Sequence, residues 1–394
     1  MIRFSHLIHG SETVSRVMVQ RNLPSGSIPA NFLVYSGDRH PVIFWNVTSG
    51  CNLSCSHCYA RAGPHRDGPG RELDTVEALS LVDDLAASGV PLLIVSGGEP
   101  LVRKDIWEIL ARARDRGIRL ALSTNGTLID GAVARRLRDT GVEYAGISLD
   151  GAEPGTHERL RGVPGCFDDA LTGLAHCRRA GMKTGVRFTA TLGNAGELGA
   201  LIALSLDRGV DRFCVYWLVP SGRGQDNYSR NRLDTCGAAR ILDTIYAAAS
   251  GTNPDRMEYL TVDAPQDMIY LMDRLQREDP RQHKIASRHL VTRGAGCSAG
   301  DRVACISPEG NVYPCQFAQL PEFLIGSVRE RSFGELWNDP AHPVLQAFRN
   351  KPVRLKGRCG DCRHRAMCGG GCRVRAYHAS GDICGEDPFC IVQP

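Results

Sequence analysis

Residues 41 to 60 read PVIFWNVTSGCNLSCSHCYA. An apolar, β-branched run is followed at once by Cys51, Cys55 and Cys58. Such a run, bounded by a turn, reads as a buried strand, and in parallel α/β proteins the carboxyl end of a strand is where the active site gathers. Three thiolates are an awkward ligand number. A structural zinc takes four protein ligands, whereas a [4Fe-4S] cubane held by three leaves one iron open to a substrate or cofactor. A zinc completed by His57 is the alternative, and it would crowd four ligands into eight residues.

Working outward, short β-branched runs alternate with amphipathic helical stretches over residues 41 to 225. The segment DTVEALSLVDDLAASG predicts a helix, with Asp74 and Glu77 spaced as a capping box, Val76, Leu79, Val82 and Leu85 as its apolar stripe and Gly89 as its stop. Five further strands are expected, in VPLLIVSGGEP, IRLALSTNG, VEYAGISLDG, TGVRFTATLG and DRFCVYWLVP. Six strands alternating with helices predict an α/β fold with a parallel sheet, open or closed into a partial (β/α)6 barrel. The clusters SGGEP, STNG, SLDG and PSGRG each follow a strand, so they meet the cysteine triplet at one rim of that sheet. The expected organisation is an N-terminal extension over 1–40, a core barrel over 41–225, a helical connector over 226–290 and a cysteine-rich domain over 291–394.

Composition narrows the class. The chain has 394 residues, with 42% hydrophobic and 23% charged residues, as expected of a folded domain. A net charge of +4 is too mild to argue for nucleic acid. The opening MIRFSHLIHGSETVSR lacks the apolar stretch of a signal peptide, and no run of eighteen apolar residues predicts a membrane span; the expected location is the cytoplasm. Sixteen cysteines are the outlier. In a cytoplasmic chain they favour metal binding over disulfides. Three lie at 51 to 58 and nine between 297 and 390, which predicts two separate metal regions. Cys166, Cys177, Cys214 and Cys236 read as small buried hydrophobes.

The C-x3-C-x2-C spacing of Cys51, Cys55 and Cys58, with SGGEP one strand later, resembles the radical S-adenosylmethionine (SAM) enzymes. The resemblance implies a cluster whose open iron is chelated by SAM, and reductive cleavage of SAM to methionine and a 5′-deoxyadenosyl radical that abstracts hydrogen. It implies that Gly97, Gly98 and Glu99 meet the amino group of SAM. It also places Asn125, Ser148 and Arg187 at strand ends that contact ribose and carboxylate. A low-potential electron donor of the flavodoxin or ferredoxin type is implied as partner.

The carboxy-terminal cysteines resemble the SPASM extension of these enzymes, which holds one or two auxiliary [4Fe-4S] clusters. By position, Cys297, Cys315 and Cys372 would serve the nearer cluster, with Cys305 as a fourth ligand. Cys359, Cys362, Cys368 and Cys390 would serve the farther one, and Cys384 is left without a role. A pair of structural zincs is the alternative. Further stretches, including SLDGAEPGTHERLRGVPGCFDDAL, KGRCGDC and GEDPFC, resemble the heme-synthesis branch. That implies a tetrapyrrole substrate. Retention of Cys297 and Cys315, and the stretch CGGGCRVRAY, look most like heme b synthase, which oxidatively decarboxylates two propionates of Fe-coproporphyrin III. Another tetrapyrrole enzyme of that branch, a didecarboxysiroheme deacetylase or a d-type heme enzyme, is an alternative. A peptide maturase is another, although about forty residues before the first strand are too few for a leader-binding module. Arg223, after the sixth strand, is expected to clamp substrate carboxylates.

Overall fold

The computed structural model describes residues 1–10, 40–64, 71–293, 296–350 and 354–392; most of the expected N-terminal extension, 11–39, lies outside this set. The chain opens with a two-residue strand, β1 (Ile2–Arg3), and a short helix, Phe4–His9. All six expected strands follow: β2 (Val42–Asn46), β3 (Leu92–Ser96), β4 (Arg119–Thr124), β5 (Val142–Ser148), β6 (Lys183–Ala190) and β7 (Arg212–Trp217). They pair in sequence order and all in parallel. Helices at 75–87, 106–115, 131–139, 166–179 and 198–207 connect them.

Two parallel strands extend this set. β8 (Glu258–Val262) pairs with β7, inside the stretch expected to be a helical connector. Its join is reinforced by a buried ion pair, Arg212 to Glu258 at 2.9 Å, across the register pair of the same residues. On the other side β9 (Val303–Ile306) pairs with β2, followed by antiparallel β10 (Asn311–Tyr313) and β11 (Gly326–Ser327). The strands follow the order β1-β8-β7-β6-β5-β4-β3-β2-β9-β10-β11, with β2 to β7 forming the expected partial (β/α)6 barrel.

Alternate residues of each strand face opposite sides. Trp45, Val95, Leu122, Ile147, Phe188 and Val215 turn toward the helices and form the main core. Their neighbours Phe44, Ser96, Ser123, Ser148, Arg187 and Tyr216 turn the other way and line a cavity. Burying each large apolar side chain stabilises the fold by roughly 1.5–3 kcal/mol. The polar residues on the inner side give that up to line a site.

The helix over 75–87 has the expected capping box: Asp74 accepts from the Glu77 N–H at 3.0 Å, and Glu77 accepts from the Asp74 N–H at 2.9 Å. Its apolar stripe corrects the expected one. Val76 is 78% exposed, and Ala78, Leu81, Val82 and Leu85 make the buried face. Position 76 lies on the side of the helix opposite Ala78 and Leu85 and so faces solvent. Cys166, Cys177 and Cys214 are buried as expected, but Cys236 is exposed, at the start of the helix over 235–251. Among the described residues no helix is long and apolar enough to cross a membrane.

Candidate active site at the sheet rim

Behind β2 the chain leaves the sheet as the loop 51–64 and is fastened by its backbone. The Cys51 N–H donates to the Gly63 carbonyl at 2.9 Å, closing the loop on itself. The Ser54 and Ser56 N–H groups donate to the carbonyls of Arg161 and Leu160, the otherwise unmatched end of the helix over 154–161. Arg223 corrects the expectation of a substrate clamp. Its Nε donates to the Cys55 carbonyl at 2.7 Å and its Nη2 to the Ala62 carbonyl at 2.6 Å, so its guanidinium holds the cysteine loop from within. Asn227 adds a bond to the Ser56 carbonyl at 3.0 Å.

Cys51, Cys55 and Cys58 come together in one cluster with Leu53, Cys166 and Val163, and all three line the cavity. Burial pushes the Cys51 thiol up to about 12, against the Leu53 N–H that points at its sulfur from 3.4 Å. A buried thiol such as Cys51 fits a centre that takes it as a thiolate and supplies the compensating positive charge. His57 does not complete a zinc site with them. Its Nε2 stands 3.2 Å from Asp150 Oδ2, turned into the strand ends. Among the described residues no three His, Cys, Asp or Glu side chains converge to hold a single metal ion.

SGGEP packs against the root of the cysteine loop. A Cβ at Gly98 would lie 2.0 Å from the Gly50 carbonyl oxygen, and one at Gly97, where φ is +141°, would lie 2.6 Å from that of Thr48. The glycines thus let the β3 turn press against the root of the cysteine loop, with Gly98 N–H donating to Thr48 O at 2.7 Å and Glu99 N–H to Gly50 O at 2.9 Å. Gly97 and Gly98 line the cavity. Glu99 lies beneath it, fully buried, and accepts from the N–H groups of Leu101 and Asn125 and from the Thr124 hydroxyl. Burial raises its carboxyl to about 7 despite those donors.

Asn125, Ser148 and Arg187 all line the cavity, as their strand-end positions led us to expect. Asn125 Nδ2 donates to Asn52 Oδ1 at 2.8 Å. Arg187 donates to the Ser123 hydroxyl and lies over the Tyr216 ring at 5.7 Å, while its buried Nε has no partner. Gly146 makes room for it, since a Cβ there would fall 2.4 Å from that Nε.

Beyond the cavity, Cys297, Cys315 and Cys372 sit in a second apolar nest with Ala299, Phe323 and Phe348. Burial, then the neighbouring Cys297 and Cys372, pushes the Cys315 thiol well up. Cys305 is not with them. It is fully buried within β9, opposite Tyr313 and Phe44, on the inner side of the sheet and outside the nest of the other three. The spacing alone did not tell that Cys305 falls within a strand.

Cys359, Cys362, Cys368 and Cys390 are half-buried, among helices of four to eight residues. Asp387 ties together the chain around Cys372 and the segment leading to Cys390. It accepts from the N–H groups of Cys372 at 2.7 Å and Phe389 at 3.0 Å and pairs with the fully buried Arg375 at 2.9 Å. Although burial opposes it, Arg375 holds the Asp387 carboxyl below the usual range. Arg375 also donates to the Asp263 carbonyl at 2.8 Å, tying this region to the end of β8.

Sequence reasoning missed Asp263 and Asp267. Asp263 has a left-handed backbone, φ +72°, and a buried Oδ2 without a partner; Asp267 accepts from Trp217 Nε1 at 2.7 Å. Burial raises both to about 7. The only signal was VDAPQD after a strand that was itself unread.

A parallel sheet with a thiol-lined cavity at its carboxyl rim, joined to a second thiol region, defines a radical SAM enzyme with an auxiliary iron–sulfur domain. Residues 45–197 match the Radical SAM superfamily, and 297–363 the SPASM iron-sulfur cluster-binding domain. The chain is 37% identical to the Fe-coproporphyrin III synthase of Methanosarcina barkeri, over 93% of this chain and 92% of that one. It is 39% identical to the pre-heme d1 synthase of Dinoroseobacter shibae, over 90% and 87%. It is 34% identical to the AdoMet-dependent heme synthase of M. barkeri, over 90% and 97%. The solved structure of anSMEcpe with bound AdoMet shares the fold, with a TM-score of 0.66 at 19% identity over 89% of this chain and 93% of that one. The chain belongs to the radical SAM superfamily, in its heme-biosynthesis branch. Its cofactors are a [4Fe-4S] cluster bound by three cysteines and SAM, with one or two auxiliary clusters.

Proposed function

We propose that this chain acts in heme synthesis on an iron tetrapyrrole bearing acidic side chains. The observation that carries the reading is a shared wall. Val219 and Phe317 line the cavity beside Cys51, Cys55 and Cys58, and they also pack on the nest of Cys297, Cys315 and Cys372. A substrate radical formed in that cavity would lie one layer of side chains from a second redox centre able to take its electron.

In this reading Cys51, Cys55 and Cys58 hold the cluster that SAM completes. Cys297, Cys315 and Cys372 serve a nearer auxiliary cluster, and Cys359, Cys362, Cys368 and Cys390 a farther one. When bound, the first cluster and SAM supply hydrogen-atom abstraction. The chain's own residues bind and orient. Gly97 and Gly98 offer close backbone, Asn125 and Ser148 offer polar groups at the rim, and Arg187 brings a positive charge to the cavity wall for a carboxylate. Phe44, Leu218 and Phe317 exclude water from the reacting centre.

Two reactions fit, one consuming Fe-coproporphyrin III and one forming it. The first is oxidative decarboxylation of two propionates to vinyls, giving protoheme. It is favoured by the cysteine pattern at 297 and 315. The second is removal of acetate groups from didecarboxysiroheme. It is favoured by the 37% identity to the Fe-coproporphyrin III synthase, against 34% to the heme synthase, while the 39% identity to the pre-heme d1 synthase leaves d-type heme synthesis as a further alternative. Identity over nearly the whole chain outweighs one motif, and we put acetate removal first. Reconstituted protein, incubated anaerobically with SAM, dithionite and each tetrapyrrole, separates them by product mass. Formation of Fe-coproporphyrin III, itself left unchanged, supports the second; a monovinyl product and then protoheme supports the first. SAM cleavage with no tetrapyrrole altered overturns both.

A further inference from the structure

The buried group around Asp150 lies between the cysteine loop and the ends of β5 and β6. Asp150 is fully buried at the start of the turn after β5, and its Oδ1 accepts from the Thr189 N–H at 2.8 Å. Its Oδ2 meets Arg161 Nη2 at 2.5 Å and His57 Nε2 at 3.2 Å. Arg161 is the last residue of the helix over 154–161 and only 8% exposed. Its Nη1 reaches Cys55 Sγ at 3.6 Å, within hydrogen-bonding range of sulfur. The backbone carbonyl of the same residue accepts from Ser54 N–H at 3.1 Å, so main chain and side chain grip the cysteine loop together.

A structural ion pair needs only its two charges. Here the pair is placed so that one guanidinium N–H points at a thiol proposed as a cluster ligand, while Asp150 holds the guanidinium from behind. Hydrogen bonds to the sulfurs, and the charge around them, set the potential of an iron–sulfur centre. A cationic donor on a thiolate stabilises the reduced, more negative form, and an adjacent carboxylate offsets that effect.

We propose that Arg161 is a positioning residue that sets the reduction potential of the cluster at Cys55, with Asp150 as its counterweight. The inference rests on the reading that Cys55 is a ligand. SAM is known to act at this centre only when one electron has been delivered to it, so the setting of that potential governs which donors can serve.

The test is an EPR-monitored redox titration of the full-length, anaerobically reconstituted protein, with the relevant cluster identified by its spectral response to added SAM. Arg161→Gln should move its midpoint to more negative values, with Arg161→Lys in between, and Asp150→Asn should move it to more positive values. Iron content is measured on each sample. An unmoved midpoint with full iron overturns the inference, as does loss of the SAM-responsive cluster in Arg161→Lys as well as Arg161→Gln, which would make Arg161 a folding residue. If Asp150→Asn does not fold, the two Arg161 variants decide. A wild-type protein with no SAM-responsive cluster would instead defeat the reading of Cys55, and so is told apart.

Discussion

Cys51, Cys55 and Cys58 ride on a loop stitched to a finished parallel sheet, whereas Cys359, Cys362, Cys368 and Cys390 sit among helices of four to eight residues. The first set has partners that exist without any metal: strand-end carbonyls, a helix terminus and Arg223. The second has a buried ion pair, Asp387 with Arg375, and surface pairs such as Arg358 with Glu386, in a region whose helices are too short to stand alone. One thiol set is thus presented by a scaffold, while the other is part of what makes its scaffold.

The sharpest way to break this contrast is at that buried pair. Asp387→Ala would leave Arg375 buried with no counter-charge and should cost about 3–5 kcal/mol, read as a shift in chemical denaturation. Hydrogen exchange should show the loss concentrated in 357–392, with β3 to β6 still protected. Uniform loss across both regions would end the distinction.

Next comes pH, acting on the sheet side. Glu99 is fully buried and raised from 4.5 to about 7, so the folded state binds its proton more tightly than the unfolded chain does. Its contribution is therefore greatest below pH 4.5 and declines as pH climbs to about 7, by about 3 kcal/mol in all. Glu99→Gln should flatten that slope in pH-dependent unfolding, and a slope left unchanged would assign it elsewhere. The smallest effect is expected at the loop. Arg223→Ala removes two bonds to carbonyls and should cost about 1–3 kcal/mol. Faster exchange confined to 51–64 would mark it as a local staple.

Much of this was legible in the sequence because it is local. The six strands carry their own β-branched composition, the capping box of Asp74 and Glu77 spans four residues, and the cysteine spacings are contiguous text. What escaped depends on partners far along the chain. β8 is a strand because Glu258 meets Arg212 across 46 residues. Arg223 reads as a rim cation until the loop 168 residues earlier folds against it. Cys305 fits a ligand pattern, yet its place in β9 sets it apart from the nest of Cys297, Cys315 and Cys372. Glu99 sits in a recognisable motif, but which way its carboxylate turns is decided by Thr124 and Asn125 of the next strand.

The pairing of β9 with β2, from Val42 opposite Val303 to Trp45 opposite Ile306, bears on any attempt to divide the molecule. A fragment ending before residue 297 would carry a long naked margin of main-chain donors and acceptors, inviting strand addition by other copies. The complementary fragment would lose the template on which its own hairpin is laid. The two halves are thus better regarded as a single continuous weave than as separable cassettes, and swapping carboxy-terminal regions between relatives should succeed only when β2 is carried over with them.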